Sequence, residues 1–132
     1  AIKKCRINCE DLIFRSEQRF APAGSEGFSY LFGLPEAPTA VICAYDYIIL
    51  GLLNAAENNK ISIPYKLSVI GCDDVRASSS YKLGITTISC KKSELYEIAV
   101  DLLHRRIIGE ETGPAIHISV ESELIIRETA IF

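Results

Sequence analysis

Apolar residues along this chain fall into two alternating kinds of run. The stretches "APTAVICA" (37–44), "KLSVIGC" (66–72) and "ITTISC" (85–90) are short, continuous and rich in small or branched apolar side chains. Such runs read as strands buried on both faces. Between them the period lengthens to that of a helix. Residues 24–34 set Phe28, Leu31 and Phe32 at helical spacing behind Ser25, a candidate cap. Residues 46–60 read as a helix with Asp46 placed to cap it. Residues 93–108 give the clearest amphipathic pattern: Leu95, Ile98, Ala99, Leu102 and Leu103 form a stripe, and Glu94 and Glu97 sit in the first turn. His104, Arg105 and Arg106 suit the negative end of that helix, and Gly109 stops it. Residues 1–8 resemble the end of a helix, 11–17 a short strand, and 115–132 one or two closing strands. Residues 73–84 are a polar connection. Strands alternating with helices predict an α/β fold, a mainly parallel sheet with helices on both faces.

One helix breaks the usual pattern. Ile49, Leu53 and Ala56 form one stripe along 46–60, Ile48, Leu52 and Ala55 a second, and Tyr47 and Leu50 occupy a third side. A helix lying on a sheet is normally wet on its far side. This one is not, so a further domain or a second subunit is expected to cover it, the subunit being favoured.

The 132 residues suffice for one domain with its own core, and 48% hydrophobic with 23% charged residues is a globular balance. Net charge is −3 and "HRR" is the only basic cluster, so the chain lacks a basic stripe for nucleic acid. The five cysteines are odd in number and irregularly spaced, which points to free thiols in a reducing, cytoplasmic setting. Cys5 and Cys9 would share a helix face, yet a metal site there lacks two further ligands. No membrane span or cofactor motif is read, and the helical start without a preceding strand predicts a fragment of a larger protein.

In parallel sheets, ligands bind beyond the carboxyl ends of the strands. Two polar pairs fall at such ends, Tyr45-Asp46 and Asp73-Asp74. One right-handed strand–helix–strand unit links them, so both belong to one rim. Carboxylates and a phenol there suit a ligand rich in hydroxyl or amine donors. The plainer alternatives are that Asp46 only caps its helix and that Asp73 and Asp74 only end a strand. Paired aspartates also suggest Mg²⁺-dependent phosphoryl chemistry, but no phosphate-cradling glycine loop accompanies them. No GxSxG elbow is present, and His104 and His117 have no nucleophile near them in sequence, so catalysis is not expected.

The stretch "PTAVICAYDYIILGLLNAAENNKISIPYKLSVIGCDDV", followed by "GITTISC", "HRRIIGEE" and "ESELIIRETA", resembles the lactose-repressor/galactose-repressor family of bacterial transcription regulators over residues 38–130. The resemblance implies a periplasmic-binding-protein-like fold of which this chain is mainly the C-terminal subdomain, residues 1–88 and 115–130. The helical stretch 91–110 would pack on an N-terminal subdomain that this chain lacks. Asp73 falls on the family's effector-binding aspartate. Tyr45 replaces an effector-contacting asparagine, a departure that changes which ligands fit. Asp46 adjoins it, and Phe20 matches the aromatic that stacks on the effector. Leu50 and Tyr81 fall on the family's dimer interface, to which Tyr47 and Asn54 are added. The implied partners are a small-molecule effector, a second copy of the chain, and operator DNA reached only through an absent headpiece. A periplasmic solute receptor of the same fold is the alternative.

Overall fold

The computed structural model describes residues 12–132. Its elements run α1 (Phe20–Phe32), β1 (Ala40–Ile42), α2 (Asp46–Asn58), β2 (Ser68–Cys72), α3 (Arg76–Ser80), β3 (Thr86–Ser89), α4 (Lys92–Ile107) and β4 (Glu123–Ile125). The sheet order is β1-β2-β3-β4; the first three strands are parallel and β4 runs antiparallel to β3. All three predicted inner strands form at their predicted places. Residues 115–122 are not a strand, so the closing segment contributes one strand.

The alternation in β2 shows which face is inside. Val69 and Gly71 are buried, while Ser68, Ile70 and Cys72 on the other face are half-buried. Val69, with Leu67, Ile85 and Cys43, packs beneath Ile49, Leu52, Leu53 and Ala56 of α2, and Phe28 of α1 closes the core. Burying each large aliphatic chain contributes about 1.5–3 kcal/mol. The opposite face carries Ile42, which is 74% exposed, with Ile70 and Ile88 half-buried. No described helix lies against that face; the helix expected over 1–8 lies outside the described residues, as do Cys5 and Cys9.

The apolar helix α2 is dry because of a neighbour within the chain. Helix α1 lies against it so closely that a Cβ on Gly24 would stand 1.9 Å from the Ile48 carbonyl oxygen, and one on Gly51 1.7 Å from that of Ala21. Paired glycines let two helix backbones meet, and Ser25 Oγ adds a bond to the Gly51 carbonyl at 3.2 Å. Ser25 is therefore not a cap: α1 begins at Phe20, ahead of the start its apolar spacing predicts, and Arg19 precedes it without a side-chain cap. Intramolecular packing thus explains much of what the sequence attributes to a second subunit. Leu50 remains half-buried, and Tyr47 and Asn54 remain exposed.

Residues 12–17 form no strand, although their pattern predicts one. They run beside β1 with a cavity of about 780 Å³ between them, lined mostly by apolar groups of 12–19, α1, β1 and α2, with Tyr45 at its margin. The closing segment is tied in by Thr129. It is fully buried, its hydroxyl donates to the Val69 carbonyl at 2.9 Å and it accepts the Thr86 N–H at 2.8 Å. Helix α4 differs from the others: none of its residues is buried, and Val100, Leu103 and Ile107 are more than 60% exposed.

Candidate functional site

Parallel pairing fixes the geometry of the rim. Ala40 pairs with Ser68 and Ile42 with Ile70, an offset of 28 residues. Carried past the last paired residues, that offset sets Tyr45 level with Asp73. Ladder bonding continues at this end, for Cys43 N–H donates to the Ile70 carbonyl at 2.8 Å and Asp73 N–H to that of Ile88 at 2.9 Å. Strand continuity therefore brings Tyr45 and Asp73 to one edge.

Phe20 joins them from the start of α1. Its N–H donates to the Tyr45 hydroxyl at 3.1 Å, and the two rings meet edge to face with centroids 6.0 Å apart. Tyr47 approaches the same ring at 5.9 Å and 90°, and the Arg19 guanidinium lies 5.3 Å from its centroid. Phe20 is still 49% exposed. Tyr47, expected at a dimer interface, also takes part in the aromatic cluster at the rim. The alternation Tyr45-x-Tyr47 at a helix start was the available signal; Arg19 gave none.

The two carboxylates expected beside Asp73 have other partners. Tyr45, not Asp46, is the residue preceding α2, and it makes no side-chain cap. Asp46 is 1% exposed; Oδ1 accepts from Thr87 Oγ at 2.7 Å, and Oδ2 accepts from the Val75 N–H at 3.1 Å and from the Ser78 hydroxyl. A carboxylate satisfied this way binds α2 to β3 and α3 and does not open onto the rim. The substitution-intolerant contact behind it is Gly71, where a Cβ would stand 2.0 Å from Asp46 Oδ1. Asp74 is paired with Arg127, Nη2 to Oδ1, at 2.8 Å. The carboxylate of Asp73 accepts no hydrogen bond from any described residue, and its backbone holds φ +102°. Among the described residues, four of the five non-glycine positions with positive φ, Phe20, Asp73, Asp74 and Lys91, lie at the start of α1 or at the strand ends. Such conformations collect where function constrains the backbone.

Burial, reinforced by the Asp46 charge, pushes the Cys43 thiol up to about 12. Cys72 is also raised, first by burial and then by Asp73. Among the described residues, no group of three or more His, Cys, Asp or Glu could hold a metal ion, and no helix is long and apolar enough to cross a membrane.

The mixed, mostly parallel sheet with its helices is an α/β fold of the periplasmic-binding type. The model of the periplasmic binding protein-like domain matches residues 1–130, and the chain belongs to that family. It is 33% identical to the HTH-type transcriptional repressor CytR of Escherichia coli over 128 residues, 96% of this chain and 37% of that protein. It is also 33% identical to the repressor PurR of Glaesserella parasuis, over 86% of this chain and 35% of that one. The fold matches a LacI-type transcription regulator from Bifidobacterium animalis subsp. lactis with a TM-score of 0.90 and 23% identity, over 99% of this chain and 47% of that chain. The chain spans about a third of the length of the curated relatives it matches.

Proposed function

We propose that this chain is the C-terminal part of the effector-sensing core of a cytoplasmic bacterial transcription regulator. It binds a small polar ligand, sugar- or nucleoside-like, on the ledge formed by Phe20, Tyr45 and Asp73. The observation that carries this reading is the contrast among three neighbouring aspartates. Asp46 and Asp74 are engaged by other side chains, while the carboxylate of Asp73, at the level of an exposed aromatic ring, has no hydrogen-bond donor among the described residues. A free carboxylate offers up to four acceptor sites to ligand hydroxyls, and Phe20 offers a ring to pack against. Asp46 acts from behind, as a positioning residue.

The mechanism makes and breaks no bond. The helical stretch 91–110 packs on an N-terminal subdomain, residues 1–88 and 115–130 belong to the C-terminal one, and the ligand lies between them. A ligand that prefers one closure angle shifts a dimer between forms that differ in operator affinity, through a DNA-binding headpiece outside this chain. The dimer face is the outer side of α2, with Leu50 and Asn54, and the neighbouring Tyr81. Relatives that are repressors support this reading, as does the apolar surface of α4. A thermal-shift screen of sugars and nucleosides against the intact protein tests it. At least one should raise Tm by several degrees, and Asp73→Ala should abolish that shift with the unliganded Tm nearly unchanged. An Asp73→Ala protein responding as wild type does would remove Asp73 from the site.

A further inference from the structure

Asp74 is held from three directions. Its N–H donates to Thr87 Oγ at 3.4 Å, its carbonyl accepts from Lys92 Nζ at 3.3 Å, and its carboxylate accepts from Arg127 Nη2 at 2.8 Å. Arg127 is itself fixed: Nη1 donates to the Ile85 carbonyl at 2.8 Å, its N–H donates to Thr86 Oγ at 3.0 Å, and that hydroxyl donates back to the Arg127 carbonyl at 3.1 Å. The Arg127 and Asp74 side chains are 20% and 29% exposed, so the pair is shielded from full solvent screening.

Lys92 is the first residue of α4, the helix with no buried residue. Among the described residues, the other end of α4 bonds to the loop that follows it, through Arg105 to Glu111 and through Arg106 to the carbonyls of Gly113 and Pro114. Among the described residues, the hydrogen bond that ties α4 to the strand ends lies at the 90–92 connection, where Lys91 is left-handed and Lys92 reaches Asp74. Asp73 at φ +102° and Asp74 at φ +47° are both in a region that side chains adopt at a cost. Such a turn keeps its shape only while its neighbours hold it.

We infer that Asp74 is the joint between the ligand ledge and α4. Arg127 and Lys92 are positioning residues: they hold the 73–74 turn, so the direction of the Asp73 carboxylate and the angle of α4 are set together. A ligand that draws on Asp73 turns the shared peptide and loads the Lys92 contact, and a partner surface on α4 acts back on Asp73 by the same route. The role of this joint in sensing rests on the ligand ledge proposed above. The coupling itself needs no ligand.

The test is a double-mutant cycle in the intact protein, read by amide hydrogen exchange. Asp73→Gly releases the left-handed constraint, and Lys92→Met removes the α4 contact. The reporter is the Leu95 amide, whose bond to the Lys91 carbonyl at 3.1 Å opens α4. Each single change should speed its exchange by on the order of tenfold, and the double change no more than the larger single one. Amides of Leu52, Leu53 and Ala56 should be unmoved. Arg127→Met should act like Lys92→Met, and Arg127→Lys should recover part of the protection. Additive effects, or an Asp73→Gly protein with unchanged exchange at Leu95, would overturn the joint. If Arg127→Met fails to fold, the Asp73 and Lys92 cycle decides alone. An additive cycle leaves the ligand ledge standing, and a protein that binds no sugar or nucleoside leaves the cycle standing.

Discussion

The Tyr45 hydroxyl accepts the backbone N–H of Phe20 at 3.1 Å, a bond between positions 25 apart in sequence. It pins a left-handed Phe20 at the start of α1 to the strand end that leads into α2. An asparagine at position 45, the residue the family resemblance implies there, has a shorter side chain and no ring to set edge-on against Phe20. Tyr45→Phe keeps the rings and removes the pin. It should lower stability by about 1 kcal/mol and speed exchange of the Phe20 amide. Unchanged exchange there would mean that the ring contacts alone hold Phe20.

Asp46 is a buried structural carboxylate with three donors converging on it. Asn at this position keeps one acceptor oxygen and turns an NH₂ group toward groups that also donate. Asp46→Asn should cost about 2–3 kcal/mol, seen as a lower urea midpoint at constant slope. Asp101→Asn, which alters an exposed pair 3.8 Å from Arg105, should leave the midpoint almost unmoved.

Gly24 and Gly51 are where α1 and α2 touch backbone to backbone. Alanine at either position puts a Cβ within 2 Å of a carbonyl oxygen on the other helix, and the helices must separate. Gly51→Ala should cost about 2–3 kcal/mol. Gly109→Ala, with nothing within 4 Å of its added Cβ, would cost only the strain of a side chain at φ +79°.

The sequence made the inner strands legible because each is a continuous apolar run between turns. It made α4 legible because its polar and apolar faces separate cleanly. It misplaced the start of α1 because Pro22 and Gly24 look like breakers. The proline sits in the first turn, where its missing N–H costs nothing, and the glycine is there for contact with α2. The rim was legible in outline, since strand–helix–strand chirality alone brings Tyr45 and Asp73 to one edge. The division of labour among the aspartates was not. Asp46 is turned inward by Ser78 and Thr87, 32 and 41 residues away, and Asp74 is paired with Arg127, 53 residues away. No local pattern carries contacts of that range. Residues 12–17 have the composition of a strand, but strand formation needs a hydrogen-bonded partner, and β1 does not provide it here.

Cys43 sets a pH dependence. Its thiol is raised to about 12 in the folded state by burial and by Asp46, from an ordinary value of 9.0. The unfolded chain therefore loses this proton first as pH rises. The stabilisation is complete below about pH 9 and declines toward pH 12, at a limiting slope of about 1.4 kcal/mol per pH unit. Cys43→Ala should flatten that alkaline decline. In the native protein at pH 8, Cys43 should resist thiol-directed reagents until the chain is unfolded.

The ledge of Phe20, Tyr45 and Asp73 is tested most directly by hydrogen exchange of the intact protein, with and without whichever sugar or nucleoside raises its Tm. Protection should concentrate in residues 19–20, 44–46 and 72–75. Protection confined to residues 12–16 and 38–42 around the apolar cavity, with those three stretches unchanged, would contradict the assignment.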